Sequence, residues 1–145
     1  MESQLKVLLD DAGTGFCRTD RFRIGDFFGP VDLGLFLAGR HNSLNIGTGL
    51  LAGSIFPGTN RLVFTGFSPC WGGFYISSMG GAGLVFDNLG VNLVSILGRA
   101  PSPSGLHLNR GHGEEGQIGL RPLGPPALWE EVRGGVSAPM APVHE

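Results

Sequence analysis

Charge is scarce in this 145-residue chain: Asp, Glu, Lys and Arg make up only 15 % of it, whereas apolar residues reach 41 %. Ten basic residues stand against twelve acidic ones, so no basic field exists to attract nucleic acid or an anionic membrane. So little charge on a small chain points to a surface covered by a partner, or to strands buried on both faces. Cysteine is scarce as well. Cys17 and Cys70 lie far apart and no C-x-x-C occurs, which excludes a zinc site or a cysteine-ligated iron–sulfur cluster built from this chain alone. Two cysteines are compatible with one disulfide, but the polar start Met1-Glu2-Ser3-Gln4 is not a signal peptide. There is no N-x-[ST] acceptor, and no apolar run approaches the ~20 residues of a spanning helix. A cytoplasmic, reducing location is expected, without nucleic-acid or membrane partners.

Glycine is what the chain has in excess, with 26 residues and 10 prolines beside it. These glycines alternate with Leu, Val, Ile and Phe, not with Ser and Gln. A chain with that much apolar side chain can offset the entropy of ordering. Tight turns and close backbone approach are therefore expected, not a flexible linker.

Punctuation by glycine and proline divides the chain. Lys6 to Leu9 and Phe16 to Thr19 flank the turn residues Asp10 to Gly15, which predicts a hairpin. Pro30 opens a helix over Val31 to Arg40, with Leu33, Leu35, Phe36 and Leu37 as its apolar positions. Short β-type runs follow at Leu44–Ile46, Arg61–Thr65, Phe74–Ser77 and Leu93–Leu97. Gly83 to Leu89 reads either as a turn of helix or as an irregular crossover. After the stiff loop Pro101-Ser102-Pro103-Ser104-Gly105, a second hairpin is expected from Leu106–Asn109 and Gln117–Arg121. The fold class is thus α+β, strand-rich, with one short helix near the N-terminus. One domain is expected over residues 1–132, and a disordered tail over 133–145, where proline, alanine and glycine show no period.

Catalytic templates find little purchase. None of His41, His107, His112 and His144 sits in a nucleophile elbow or at metal-ligand spacing, and His41 reads as a surface histidine at a helix end. Cys70 beside Trp71 reads as a packed thiol. Gly47-x-Gly49-x-x-x-Gly53 approaches a dinucleotide fingerprint, but Pro57 and Gly58 stop the segment before any long helix. The informative stretch is Arg61 to Gly83. A strand ends there in Ser77-Ser78-Met79-Gly80-Gly81-Ala82-Gly83, small residues that leave backbone N–H and C=O groups bare for a phosphate, a pterin edge or a cation. Arg61, one strand earlier, offers a planar donor fork to an anion. A glycine-rich turn at a tight sheet corner, beside an ordinary surface arginine, would give the same pattern.

The order Leu51-Ala52-Gly53-Ser54, Pro57, Arg61, Ser68-Pro69 with Gly72 or Gly73, then Gly80-Gly81 resembles the aldehyde:ferredoxin oxidoreductase family, whose series runs G-P-L-T-G-T … P … R-Y-N-V … S-P-L-T-G … A-N-S-G-G. The similarity covers roughly residues 6 to 132 and implies the saddle-like amino-terminal domain of that family. Leu50 stands where the family has proline, and Val31-Asp32 where it has a basic residue. The resemblance implies an oxidoreductase in which a bis-pterin tungsten or molybdenum cofactor, with magnesium between its phosphates, oxidises an aldehyde to a carboxylic acid. Electrons would pass to ferredoxin through a [4Fe–4S] cluster carried by a partner chain or by further domains. On the matching positions it implies that Arg61 contacts a pterin phosphate and that Gly80 offers backbone to the pterin. Gly81 would permit close approach, and the Ser78 backbone carbonyl would help hold the magnesium. No catalytic residue is implied in this chain, which is expected to be inactive alone. A non-catalytic binding or assembly module, or a truncated remnant with the same saddle, is the alternative.

Overall fold

Val7, Leu8 and Leu9 are apolar in succession, as a strand covered on both faces requires, and they form the middle of β1 (Gln4–Asp11). The computed structural model describes residues 4–110 and 117–122. β1 turns back into β2 (Phe16–Arg23), and both strands of this hairpin run further than the sequence suggests. Asp10 and Asp11, expected in the turn, pair instead with Cys17 and Phe16. The turn occupies 12–15, where the Asp11 carboxylate accepts from the Gly13 N–H at 2.9 Å and Gly15, at φ 71, donates to the Asp11 carbonyl at 2.7 Å.

The helix at Pro30 forms as α1 (Asp32–His41). Leu33 and Gly34 donate to the carbonyls of Gly29 and Pro30, so Pro30 lies within the opening turn, where its missing N–H costs nothing. The Asp32 carboxylate accepts from the amides of Phe28, Gly29 and Leu33 at 2.6, 2.9 and 2.8 Å, sharing the last with the Gly29 carbonyl. Burial alone would raise its pKa, but these amides together hold the carboxyl below the usual range. The helix stops at Asn42, whose left-handed backbone (φ 51) turns its N–H back onto the Ala38 carbonyl.

Four strands follow within one or two residues of where the branched and aromatic runs put them: β3 (Leu44–Gly47), β4 (Leu62–Phe67), β5 (Phe74–Met79) and β6 (Leu93–Leu97). Between β5 and β6 the ambiguous segment is a second short helix, α2 (Ala82–Asp87), which adds to the single helix expected. The sheet order is β2-β1-β6-β3-β4-β5, parallel only between β1 and β6. The second hairpin pairs β7 (Ser104–Asn109) with β8 (Gln117–Pro122) as expected. Its turn, His112 and the 133–145 tail lie outside the described residues. Among the described residues no helix is long and apolar enough to cross a membrane.

Each face of the sheet carries its own core. Leu5, Val7, Leu9 and Leu93 point to α1 and meet Leu33 and Leu37. Leu8, Ile46 and Val94 point the other way, against Phe86 and Val91, with Leu106, Leu108 and Ile118 of the second hairpin packed on them. The result is an α+β arrangement in three layers. A polar joint lies under α1. Asn45 accepts from Ser95 at 2.7 Å and from Ser43 at 3.0 Å, and donates to the Gly34 carbonyl at 3.0 Å, with all three side chains buried. Gly34 makes this approach possible, because a Cβ there would stand 2.1 Å from the Thr65 hydroxyl.

Candidate cofactor-binding site

Antiparallel pairing brings the ends of β3 and β5 to the same edge of the sheet as the starts of β4 and β6. Arg61 immediately precedes β4. Ser78 stands opposite Val63, the next pair is Leu62–Met79, and one further step brings Gly80 alongside Arg61. The chain then folds over this corner. Gly83, in α2, sits so close that an added Cβ would lie 2.5 Å from the Asn60 carbonyl oxygen and 2.8 Å from the Arg61 carbonyl carbon. Arg61, Ser78, Gly80 and Gly81, singled out in the sequence across twenty residues, therefore share one corner.

That corner is open. All four residues are exposed. A Cβ at Gly80 or Gly81 would meet nothing within 4 Å, and Gly81 has φ 81, a conformation that disfavours a side chain. Bare backbone faces outward from the turn. The Arg61 guanidinium makes no hydrogen bond or ion pair with a described residue, so its donors are free for an anion. A planar, phosphate-bearing group that hydrogen-bonds along its edge fits these donors and this bare backbone.

Sequence reasoning missed the residues that brace the corner. Asn60 accepts from the Gly53 N–H at 2.7 Å and so closes the 48–60 loop upon itself. Asn92 accepts from the Lys6 N–H at 2.8 Å, while its carbonyl takes the Thr48 N–H at 3.1 Å, which ties the ends of β1 and β3 together. Single asparagines in loops carry no spacing signal. Asp32, which replaces a basic residue of the family, does not project as a free acid. Its carboxylate is folded onto amides at the start of α1, next to Pro30, which approaches the end of β3 at Gly47.

The remaining chemical candidates fall elsewhere. Cys70, expected to be a packed thiol, is exposed at the tip of the β4–β5 hairpin, where the Ser68–Gly73 turn projects from the sheet. Cys17 is exposed too, and neither cysteine forms a disulfide. His41 is half-buried at the end of α1 and His107 is exposed on β7. Among the described residues, no group of three or more His, Cys, Asp or Glu side chains is placed to hold a metal ion. Asp10 is the unexpected acid: it is 3 % exposed, and one carboxylate oxygen has no partner among the described residues. Burial, and then the neighbouring Asp11, push its pKa up.

The family model described as "Aldehyde ferredoxin oxidoreductase, N-terminal domain" matches residues 31–137. The chain belongs to the aldehyde ferredoxin oxidoreductase family. Within this family, the glyceraldehyde-3-phosphate:ferredoxin oxidoreductase of Pyrococcus furiosus is 40 % identical over 96 residues, 64 % of this chain and 14 % of that protein. An uncharacterised protein of Methanocaldococcus jannaschii is 55 % identical over 47 residues, 32 % of this chain and 8 % of its own length. Among solved structures, the active-site complex BamBC of benzoyl coenzyme A reductase, with 1,5-dienoyl-CoA bound, matches with a TM-score of 0.68 at 18 % identity, covering 95 % of this chain and 24 % of that one. That likeness establishes the fold alone. The chain thus spans a small fraction of the length of the relatives it matches, and corresponds to one domain of a larger oxidoreductase.

Proposed function

We propose that this chain is the pterin-cradling domain of a tungsten- or molybdenum-dependent aldehyde:ferredoxin oxidoreductase. The observation that carries the reading is the Arg61 guanidinium, unpaired among the described residues, beside the open Gly80–Gly81 turn. Arg61 would hold a pterin phosphate and Gly80 would present backbone to the pterin, with Gly81 allowing close approach. The Ser78 carbonyl, near the end of the edge strand β5, would help hold magnesium between phosphates. The metal–pterin group supplies the redox chemistry, taking an aldehyde to a carboxylic acid. This domain binds and orients it.

Electrons would leave for ferredoxin through a [4Fe–4S] cluster held by a partner chain or by further domains. The uncovered apolar surface supports such company: Ile55 is 95 % exposed and Val85 is 70 % exposed, with Phe56 and Leu84 beside them. Two unpaired cysteines support a reducing, cytoplasmic setting. The test is anaerobic, tungstate-supplied co-expression with the remaining domains of a homologous oxidoreductase. The purified complex is expected to carry metal and pterin in stoichiometric amounts. A stable complex devoid of both would overturn the reading and favour an assembly role.

A further inference from the structure

Far from Arg61, at the opposite end of the strands, a groove lies between β2 and the last turn of α1. It consists of two adjoining hollows of about 290 and 220 Å³ that share Arg18 and His41 as walls. Together they fall in the range of ~300–1,000 Å³ usual for small-molecule sites. The larger hollow is lined by Arg21 and Arg40. Neither forms an ion pair or hydrogen bond with a described residue, and the Arg40 guanidinium stands 5.9 Å above the Phe36 ring. The acids nearby are already engaged. Asp20 takes Arg18 at 3.1 Å, and Asp11 takes the amides of Gly13 and Thr14 at 2.9 and 3.4 Å. The carbonyl end of α1, which would repel an anion, is partly answered by the Asn42 N–H on Ala38. The Arg40 guanidinium is thus left uncompensated at one end, whereas Arg21, which pairs with Lys6, starts from the face of the sheet turned away from α1. At the other end the smaller hollow offers Leu9, Phe16 and Leu97.

A cationic end beside an apolar end, with Arg18 and His41 common to both, matches one ligand chemistry. We propose that this groove binds a small amphiphilic carboxylate, with its carboxylate on Arg40 and its hydrocarbon over Leu9, Phe16 and Leu97. Arg40 carries the orientation, since its guanidinium lies over Phe36 and it adjoins the half-buried His41. The site does not depend on the pterin reading, because it uses the other end of the sheet and none of the same residues.

The test is titration of the full chain with hexanoate, followed by calorimetry and by backbone amide shifts, with hexanamide and inorganic phosphate as separate probes. Hexanoate is expected to bind about tenfold more tightly than hexanamide, as a charge-assisted contact implies. It should also outbind phosphate, which lacks the apolar part. Shifts should cluster at Arg18, His41 and Leu97. Arg40→Gln, at an exposed position, should lower hexanoate affinity about tenfold with unchanged melting. Equal affinity for hexanamide and hexanoate would overturn the proposal. So would shifts confined to the Gly80 corner, absence of binding at millimolar hexanoate, or an Arg40→Gln chain that binds as the parent does.

Discussion

At the centre of the sheet, Val7, Leu93 and Val94 are closed over on both faces, whereas at the corner where β4 starts and β5 ends Met79 and Val85 stand more than half exposed. Apolar residues of the same kinds serve opposite ends in the two places. In the centre they bury against α1 on one side and against α2 and the second hairpin on the other, and they carry the stability of the fold. At the corner they remain uncovered beside an unpaired arginine and bare glycine backbone. The difference teaches that this domain separates the part that folds it from the part that meets a ligand or a neighbouring domain.

The separation can be broken most sharply within α1. Gly34 faces Thr65 at a distance that leaves no room for a methyl group, whereas a Cβ at Gly39, five residues on, meets nothing within 4 Å. Gly34→Ala is therefore expected to cost about 2–3 kcal/mol through overpacking. Gly39→Ala should gain about 0.5–1 kcal/mol through helix propensity. Urea denaturation of both variants checks the contrast, and a loss of similar size at Gly39 would show that α1 is not packed on one face as described.

Asp10 gives a smaller effect with a definite pH dependence. Its folded pKa is raised, so its contribution to stability is present below the unfolded value near ~3.9 and is lost as pH rises through the folded value. At neutral pH the buried carboxylate is a cost. Asp10→Asn should raise stability by about 1 kcal/mol at pH 7, and the gap from the parent should close as pH falls toward the carboxylate range. A gap that stays constant with pH would mean that the charge of Asp10 is compensated after all.

Much of this was legible beforehand, and for reasons that belong to particular residues. Six successive strands and α1 showed themselves because branched and aromatic runs alternate with glycine and proline, and because Pro30 marks a helix start without ambiguity. The likeness to the family lay in spacing along the chain, so Arg61, Ser78, Gly80 and Gly81 could be named together before their meeting was seen. What stayed hidden depends on distant partners. Asn45, Ser43 and Ser95 look like ordinary polar residues until α1 lies across them and closes their hydrogen bonds. α2 stays ambiguous between a turn of helix and a crossover because Gly83 lowers helix propensity, yet that glycine lets the helix rest on Asn60 and Arg61. Asp10 was assigned to a turn because Asp-Asp before Ala-Gly is turn chemistry. Pairing with Cys17 on one side and Ile96 on the other drew it into the sheet instead. The groove at Arg40 is assembled from β2, α1 and the ends of β1 and β6, and no local pattern announces it.

The most direct measurement removes the guanidinium from the open corner and leaves the centre untouched. In the complex with the remaining oxidoreductase domains, Arg61→Ala should shift thermal stability by no more than about 0.5 kcal/mol, as for a surface residue without partners. Pterin content per complex should nevertheless fall several-fold below that of the parent. Pterin and metal retained at parental levels would contradict the placing of a phosphate at Arg61, and with it the account of the corner as half of a cofactor seat.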